Sequence, residues 1–332
     1  MKRLINDPDR IAVEAIEGLV LAFPQFVRKL DDLLSVVRVH APARGKVAVV
    51  TGAWSRHEPL FAGYVGPGMA AANVTGSIFT SPPPGPIFET AKAVNGDAGV
   101  LFIYGNSAGD LLNFNLASEM LSEIQIENAS IQVTDHVSSA PPNEMMERSG
   151  IAGGFFVIRI AGAAAEEGCS LAEVAELAAR ANAMTRSIGV ALISCAIPSL
   201  GQPIFQLNSS EIAIGMGIHG EPGEGRSIVM PADQLAAILL ERLLLELNIH
   251  SGDELGVLVN GQCGLPLCGL LIVSGAVSKM LSHAGIRVVR TYVGNFATSH
   301  DTSGCSLSLL KLDSDLKRLV LAPAESPAFV QV

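Results

Sequence analysis

Short β-branched runs that end in glycine-rich or polar turns constrain the fold of this chain more than any other feature. Lys46–Val50 leads into such a turn, and Val100–Tyr104 leads through another into a helical stretch, Leu111–Ile124. Strands that alternate with helices in this way predict a mostly parallel sheet covered on its faces. The chain is therefore expected to be an α/β protein, and 49% hydrophobic against 16% charged residues allows a substantial buried core.

Strand-like runs become more frequent after the helical stretch Ser170–Arg186, in which Ser170 and Glu173 form a capping-box pattern. We place a boundary near Arg186, which divides the 332 residues into two α/β domains, 1–185 and 186–332. Each is expected to hold a mixed or mostly parallel sheet flanked by helices. The apolar stretch Leu265–Val277 predicts a buried helix. Strands are predicted at Ile188–Cys195, Phe205–Leu207, Glu211–Gly215, Leu255–Asn260, Ile286–Tyr292, Ser306–Leu312 and Leu319–Leu321.

Charge and composition exclude several classes of function. A formal net charge of −10, with scattered Lys and Arg, argues against nucleic-acid binding. The N-terminal residues lack the apolar core of a secretory signal, and the longest apolar stretch is short for a membrane span. Five cysteines without a C-x-x-C pair predict reduced thiols, and no histidine pair has the H-x-x-x-H spacing of a metal site. We expect a cytoplasmic protein that binds no metal, no nucleic acid and no membrane.

Ligands of parallel sheets bind at the carboxyl ends of the strands, where this chain has three polar turns. One turn carries His57, which is either an acid–base group or a loop histidine hydrogen-bonded to the backbone. Another ends at Asp110, which is either a helix N-cap or a reactive carboxylate. Both roles of Asp110 can coexist only if its carboxylate is partly free. The three turns are Gly52–His57, Thr80–Pro86 and Gly105–Asp110.

His219 lies in a glycine run, Gly215–Gly223, directly after a strand-like segment. Glycines on both sides free the backbone and expose the ring, which suits a nucleophile or a ligand. The same run contains a G-x-G-x-x-G string, but Pro222 and the glycines after it prevent the helix that a dinucleotide site requires. No P-loop occurs in the sequence, so a phosphate donor is expected to bind elsewhere.

Taken together, the motifs resemble those of the Dak1-type domain, the dihydroxyacetone-binding subunit of dihydroxyacetone kinase. The resemblance extends over nearly the whole chain, and the matching segments occur in the same order. They are Met1–Asp7, His57–Pro59, Gly63–Met69, Ile78–Pro82, Gly109-Asp110, Gly162–Glu166, Ser187–Gly189, Gly217–Gly223 and Leu258–Asn260.

The resemblance implies roles for three residues. His219 holds the substrate carbonyl covalently, because a neutral imidazole can add to a ketone or aldehyde and form a hemiaminal. Asp110 accepts the proton of the hydroxyl that attacks phosphorus, and His57 hydrogen-bonds the substrate and assists. The substrate is thus a short hydroxyketone such as dihydroxyacetone, and the activity is that of a glycerone kinase-like phosphotransferase.

The resemblance also implies partners. A chain of this kind looks like the subunit that works with a separate nucleotide-binding subunit, often fed by the phosphotransferase system. Nucleotide and Mg²⁺ are then expected on that partner subunit, and this chain itself is expected to bind no cofactor. Such subunits are usually homodimers.

Two departures from the family pattern alter the predicted substrate pocket, to which we assign Trp54, Ser55, Arg56 and Gly105. The usual loop G-G-G-S-G-H-E-P is here G-A-W-S-R-H-E-P, and Gly105 stands where the family usually carries a lysine. Three consequences stay open. The kinase substrate is another short sugar, such as a tetrulose; the chain is a non-catalytic sensor or coactivator; or it is an isomerase or epimerase of a phosphorylated sugar.

Overall fold

The structure is a computed structural model that describes residues 4–30, 32–55, 57–78, 80–193, 207–218, 223–299 and 302–332, with only the backbone of Trp54 and Ile78. The described helices are α1 (Ile11–Ala22), α2 (Pro84–Val94), α3 (Ala108–Glu123), α4 (Gly154–Glu166), α5 (Leu171–Ala183), α6 (Ala232–Glu246), α7 (Leu267–His283) and α8 (Ser314–Leu321). The described strands are β1 (Val27–Lys29), β2 (Ser35–Arg38), β3 (Ala48–Ser55), β4 (Ala72–Ile78), β5 (Val100–Gly105), β6 (Asn128–Val133), β7 (Thr185–Ile193), β8 (Glu211–Ile214), β9 (Gly225–Ile228), β10 (Glu254–Gly261), β11 (Arg287–Gly294), β12 (Ser303–Leu312), β13 (Ala324–Ser326) and β14 (Phe329–Gln331).

The chain forms two compact units, and each is assembled from separate segments. The first unit comprises the residues up to Val133 together with Phe156–Ala181 and Arg318–Val332. The second unit comprises Thr134–Phe155 and Asn182–Lys317. The boundary expected near Arg186 lies beside one of the places where the chain passes from one unit to the other. The chain also crosses between the units at residues 133/134, 155/156 and 317/318. A division into two continuous domains does not contain these three crossings.

The first unit contains a six-stranded sheet in the order β1-β2-β4-β3-β5-β6. Strands β4, β3, β5 and β6 pair in parallel, whereas β1 and β2 add antiparallel pairs at one side. One face is covered by α2 and α3, where Val50, Val74, Phe102 and Phe114 form a continuous apolar core. This sheet is the mostly parallel one that the strand–helix alternation predicts.

The second unit contains a six-stranded sheet in the order β11-β10-β12-β7-β8-β9. Its β10–β11 pair is parallel and its other pairs are antiparallel, so the sheet is mixed. Helices α6 and α7 pack on one face and bury Leu239, Leu243, Val273 and Val277 against it. The predicted class, two α/β domains with mixed sheets flanked by helices, is confirmed.

Two predicted local features are confirmed and one is wrong. Ser170 and Glu173 form the capping box of α5, since the amide of Ser170 donates to Glu173 Oε2 at 2.8 Å. The apolar stretch after Leu265 forms α7. The strand predicted at Leu319–Leu321 is instead the end of α8. Its apolar residues Leu316, Leu319 and Val320 are buried with helical spacing, which three residues alone could not reveal.

In the described part of the chain, no helix is long and apolar enough to cross a membrane. Cysteines 169, 263, 268 and 305 are free thiols. Burial raises the pKa of the Cys305 thiol to about 12, so this thiol is protonated and unreactive at neutral pH. The strand predicted at Phe205–Leu207 falls mainly outside the described residues.

Candidate active site

The predicted turn Gly52–His57 begins later than expected, because β3 extends to Ser55. The polar turns then follow β3, β4 and β5, which are adjacent parallel strands. Parallel strands end at the same edge of a sheet, so the turns that follow them are neighbours. The register places Gly52 of β3 beside Tyr104 of β5 and Val74 of β4. The candidate site is therefore built on one edge of the first unit's sheet.

Helix α3 is held against this edge by the aromatic ring of Phe114. The ring stacks on Tyr104 with centroids 4.3 Å apart and meets Phe102 edge-on at 5.4 Å. A Cβ atom at Gly52 would lie 2.8 Å from the Phe114 ring, so only glycine lets the ring lie on β3. This packing fixes the amino end of α3 at the carboxyl ends of β3 and β5.

Asp110 lies in the first turn of α3 and is buried, with 3% of its surface exposed. Its carboxylate accepts hydrogen bonds from Ser81 Oγ at 2.5 Å and from Ser107 Oγ at 2.9 Å. Ser107, and not Asp110, is the N-cap, because its hydroxyl accepts from the amide of Asp110 at 3.3 Å. The N-cap interpretation of Asp110 is thus wrong. The helix N-terminus and both hydroxyls stabilise an ionised carboxylate here.

Two glycines make the approach of Ser81 to Asp110 possible. A Cβ at Gly76 would lie 1.9 Å from the carbonyl oxygen of Thr80, so the turn can fold back tightly after β4 only with glycine there. A Cβ at Gly109 would lie 3.3 Å from the Ser81 side chain. The turn after β4 and the start of α3 therefore meet at Asp110.

The phenol of Tyr104 lies within electrostatic reach of Asp110. Burial raises the pKa of Tyr104, a hydrogen bond donated by Gln132 Nε2 at 2.9 Å opposes the shift, and the negative charge of Asp110 adds to it. The phenol is therefore neutral at physiological pH. It forms an uncharged wall beside the carboxylate.

His57 follows β3 and is buried, with 5% of its surface exposed. Before it, Ser55 Oγ donates to Glu58 Oε1 at 2.9 Å, which closes the turn around the histidine. The ring thus lies buried after the end of β3, and its acid–base role stays a prediction.

The predicted pocket residues are described to different extents. Gly105 ends β5, and a Cβ there would meet no atom within 4 Å, so open space adjoins it. The backbone of Trp54 belongs to β3, but its side chain, like all of Arg56, lies outside the described residues. His219 lies outside them as well.

The loop that leads to His219 is described as far as Ile218, within the second unit. His136, buried there, donates from Nε2 to the carbonyl oxygen of Gly215 at 3.1 Å, and its Nδ1 is 3.2 Å from Ser149 Oγ. The structural role of His136 is to anchor the start of this loop.

Two site residues were not predicted from the sequence, although signals for them exist. Ser107 precedes Asp110 by three residues, which is the spacing of an N-cap and its carboxylate partner. Ser81 stands between a strand and a run of prolines, at the carboxyl edge where ligands bind. In the described ranges, no group of three or more His, Cys, Asp or Glu side chains is placed to hold a metal ion.

Comparisons with known proteins identify the family and the fold. The Dak1 domain family matches residues 17–328. The PTS-dependent dihydroxyacetone kinase 2, dihydroxyacetone-binding subunit DhaK, of Listeria innocua is 39% identical over 330 residues, 99% of both chains. The D-erythrulose kinase of Mycolicibacterium smegmatis is 41% identical over 99% of this chain and 56% of its own length. The solved structure of a dihydroxyacetone kinase operon co-activator, Dha-DhaQ, superimposes with a TM-score of 0.90 at 31% identity, covering 96% of this chain and 98% of that one.

Proposed function

The chain belongs to the Dak1 domain family, and from this membership we propose that it is the substrate-binding subunit of a dihydroxyacetone-type kinase. Its substrate is a short ketose, either dihydroxyacetone or a tetrulose. The phosphoryl group comes from a nucleotide, bound with Mg²⁺ on a separate subunit. A component of the phosphotransferase system supplies the phosphoryl group to that subunit in one version of this arrangement. The chain acts in the cytoplasm as a homodimer and is inactive alone.

The environment of Asp110 supports this proposal most directly. A carboxylate offers about four acceptor positions. The hydroxyls of Ser81 and Ser107 use one on each oxygen and fix the plane of the group. We assign to this oriented carboxylate the proton of the substrate hydroxyl, which Asp110 accepts as the oxygen attacks phosphorus.

Covalent capture is assigned to His219. A ring nitrogen forms a bond to the carbonyl carbon as the C=O π bond opens. The oxygen takes up a proton and the ring gives up its N–H proton, so a neutral hemiaminal results without any other reactant. A polyol lacks a carbonyl and is excluded by this chemistry. Incubation with dihydroxyacetone or erythrulose should add the mass of one substrate to the intact chain, and His219→Ala should abolish the adduct. An adduct that survives in His219→Ala contradicts the assignment.

Asp110→Asn separates capture from transfer. Because the amide cannot accept the proton, the phosphorylation rate with a nucleotide-bearing subunit should fall by about 10²–10⁴-fold. The mass adduct should persist, since the capturing histidine is intact. Glu119→Gln, on the exposed side of α3, is the matched control and should retain full activity. Turnover by the purified chain with ATP alone, or an active Asp110→Asn variant, would contradict the proposal.

A non-catalytic sensor is the second candidate. It is favoured by the replacement of three loop glycines by Ala53, Trp54 and Arg56 and by the structural likeness to an operon co-activator. This role predicts the adduct without turnover when each available nucleotide-bearing subunit is supplied. Turnover with any of them excludes it.

A further inference from the structure

A pocket of about 410 Å³ lies in the first unit, on the face of the sheet opposite α3. It is bounded by α1, by β3 and β4, by the loop Glu58–Gly63 and by Pro327-Ala328; we call it the α1 pocket. Its volume lies within the range of about 300–1,000 Å³ found for small-molecule sites. Side chains alternate along a strand, so Ala53 and Ser55 face this pocket while Gly52 faces Phe114.

The walls of the α1 pocket are apolar. Ile16, Leu19 and Phe23 of α1 stand on one side, and Leu60 and Phe61 on the other. Alanine and glycine at several lining positions leave the space between these large side chains unfilled. Apolar walls of this kind favour the binding of an apolar molecule.

The floor of the pocket is polar and has hydrogen-bonding capacity to spare. Asn73 Nδ2 donates to Thr75 Oγ1 at 2.8 Å, and Asn73 Oδ1 accepts from Thr51 Oγ1 at 3.2 Å. One amide proton of Asn73 and the hydroxyl proton of Thr75 are left to donate, and Ser55 Oγ is left to accept. A group that both donates and accepts, such as a hydroxyl, matches this floor.

The charge of the entrance selects against anions. Among the described lining residues, Ala15, Glu58 and Ala328 are exposed, and Glu58 brings a negative charge to the mouth. Among the described residues that line the pocket, none is Lys, Arg or His. A carboxylate ligand thus meets repulsion at the mouth and no cation inside.

We propose that the α1 pocket binds an uncharged amphiphile, an apolar body that ends in one hydroxyl, as a regulatory ligand. Ser55 on its floor and Glu58 at its mouth bracket His57 in the chain and hydrogen-bond to each other. A ligand hydroxyl that binds Ser55 therefore acts on the turn that holds His57, from the face opposite Asp110. Binding itself is independent of the proposed kinase role; only an effect on phosphorylation rests on it.

Binding is tested with two eight-carbon probes, 1-octanol and octanoate, by calorimetry and thermal shift on the full chain at pH 7. We expect saturable binding of 1-octanol, at least tenfold weaker binding of octanoate, and a shift of the His57 ring resonances on octanol addition. No saturable binding of 1-octanol, or equal affinity for octanoate, overturns the proposal.

Variants locate the site. Ala15→Leu narrows the mouth from an exposed helical position and should weaken octanol binding at least tenfold, whereas Ala22→Leu, at the exposed end of the same helix, should not. Thr75→Val keeps the shape but removes the hydroxyl, so octanol affinity should fall by about 3–10-fold, as expected for one hydrogen bond. Unchanged affinity in both Ala15→Leu and Thr75→Val places octanol elsewhere and overturns the assignment. If Ala15→Leu does not fold, the Thr75→Val comparison decides.

Discussion

The carboxylate of Asp110 accepts hydrogen bonds from two different parts of the first unit. It completes the cap of α3 with Ser107, and it accepts a second hydroxyl from Ser81, which arrives from the turn after β4. The two contacts come from different elements, so the orientation of the carboxylate depends on the packing of the whole sheet edge. In the proposed role of a base, a carboxylate held in this way loses little entropy when substrate binds.

Gly105 permits a direct test of the lost cation. A Cβ there meets no atom within 4 Å, and its φ lies outside the left-handed region, so Gly105→Lys should change the free energy of unfolding by less than about 0.5 kcal/mol. A lysine beside Asp110 restores the residue usual in the family. Its charge-assisted hydrogen bond to a substrate oxygen should lower KM for dihydroxyacetone about tenfold.

The matched control for this variant is Gly105→Met, which adds a chain of similar length without charge. KM is measured with a nucleotide-bearing subunit present, and the fraction of hemiaminal adduct is measured by mass at fixed dihydroxyacetone. Equal results for the lysine and methionine variants would show that no cation is needed at this position.

At the level of elements, two buried side-chain amides at the end of strand β10 differ in their hydrogen bonds: Asn260 lies in the strand, and Gln262 follows its last residue, Gly261. Asn260 donates to Ala297 O at 2.7 Å and Ser306 Oγ at 3.1 Å, and accepts from the amides of Phe296 and Ala297. Gln262, two residues on, is equally buried, but neither its Oε1 nor its Nε2 has a hydrogen-bond partner. The Asn260 amide therefore joins β10 to the loop at Phe296 and Ala297. The Gln262 amide is removed from water on folding and gains no hydrogen bond in return.

This contrast predicts opposite effects on stability. Gln262→Leu keeps the volume and removes an unsatisfied buried amide, so the free energy of unfolding should rise by about 1–3 kcal/mol. Asn260→Leu leaves the backbone amides of Phe296 and Ala297 without their acceptor and should lower the free energy of unfolding by about 3 kcal/mol or more. Urea denaturation followed by circular dichroism measures both variants. A destabilised Gln262→Leu would refute the prediction and show that its amide has a partner in solution.

The elements that the sequence predicted well carry their signals locally. The strand runs at Val100–Tyr104 and Leu255–Asn260, and the capped helix after Ser170, each combine a regular apolar pattern with a terminating residue. The end of α8 was missed because its apolar residues matched a strand when taken without the preceding turn. There the amide of Leu316 donates to Asp313 Oδ1 at 2.9 Å, a cap that marks the start of the helix.

At the candidate site too, residues with a local sequence signal were predicted and residues without one were not. Asp110, His57 and His219 were identified because polar residues after strand-like runs are a local signal, and the resemblance added a role for each. Ser81 was not assigned, because its contact with Asp110 depends on the pairing of β4 with β3 and on two glycines distant in sequence. Hydrogen bonds between elements are properties of the packed sheet, and no sequence spacing specifies them.

At the scale of the whole molecule, the last segment of the chain completes the first unit. The amide of Glu325 donates to Pro67 O at 2.9 Å, and that of Ala328 donates to Gly63 O at 3.0 Å. A Cβ at Gly66 would lie 2.0 Å from the carbonyl oxygen of Glu325, so the contact is close along its length. A single boundary along the sequence could not show this return, because composition does not encode contacts between residues so far apart.

Removal of residues 323–332 tests the role of this segment. The truncated chain keeps α8 but loses both hydrogen bonds to the loop after His57 and the burial of Phe329. The free energy of unfolding of the first unit should therefore fall by about 3–5 kcal/mol. Amides of residues 63–70 should exchange with deuterium faster, while those of β10 in the second unit keep their protection. Val330→Ala, at an exposed position of the same segment, is the control and should leave both regions unchanged. If residues 63–70 stay protected in the truncated chain, the loop is held by the first unit without this segment, and the hairpin β13–β14 is only a surface addition.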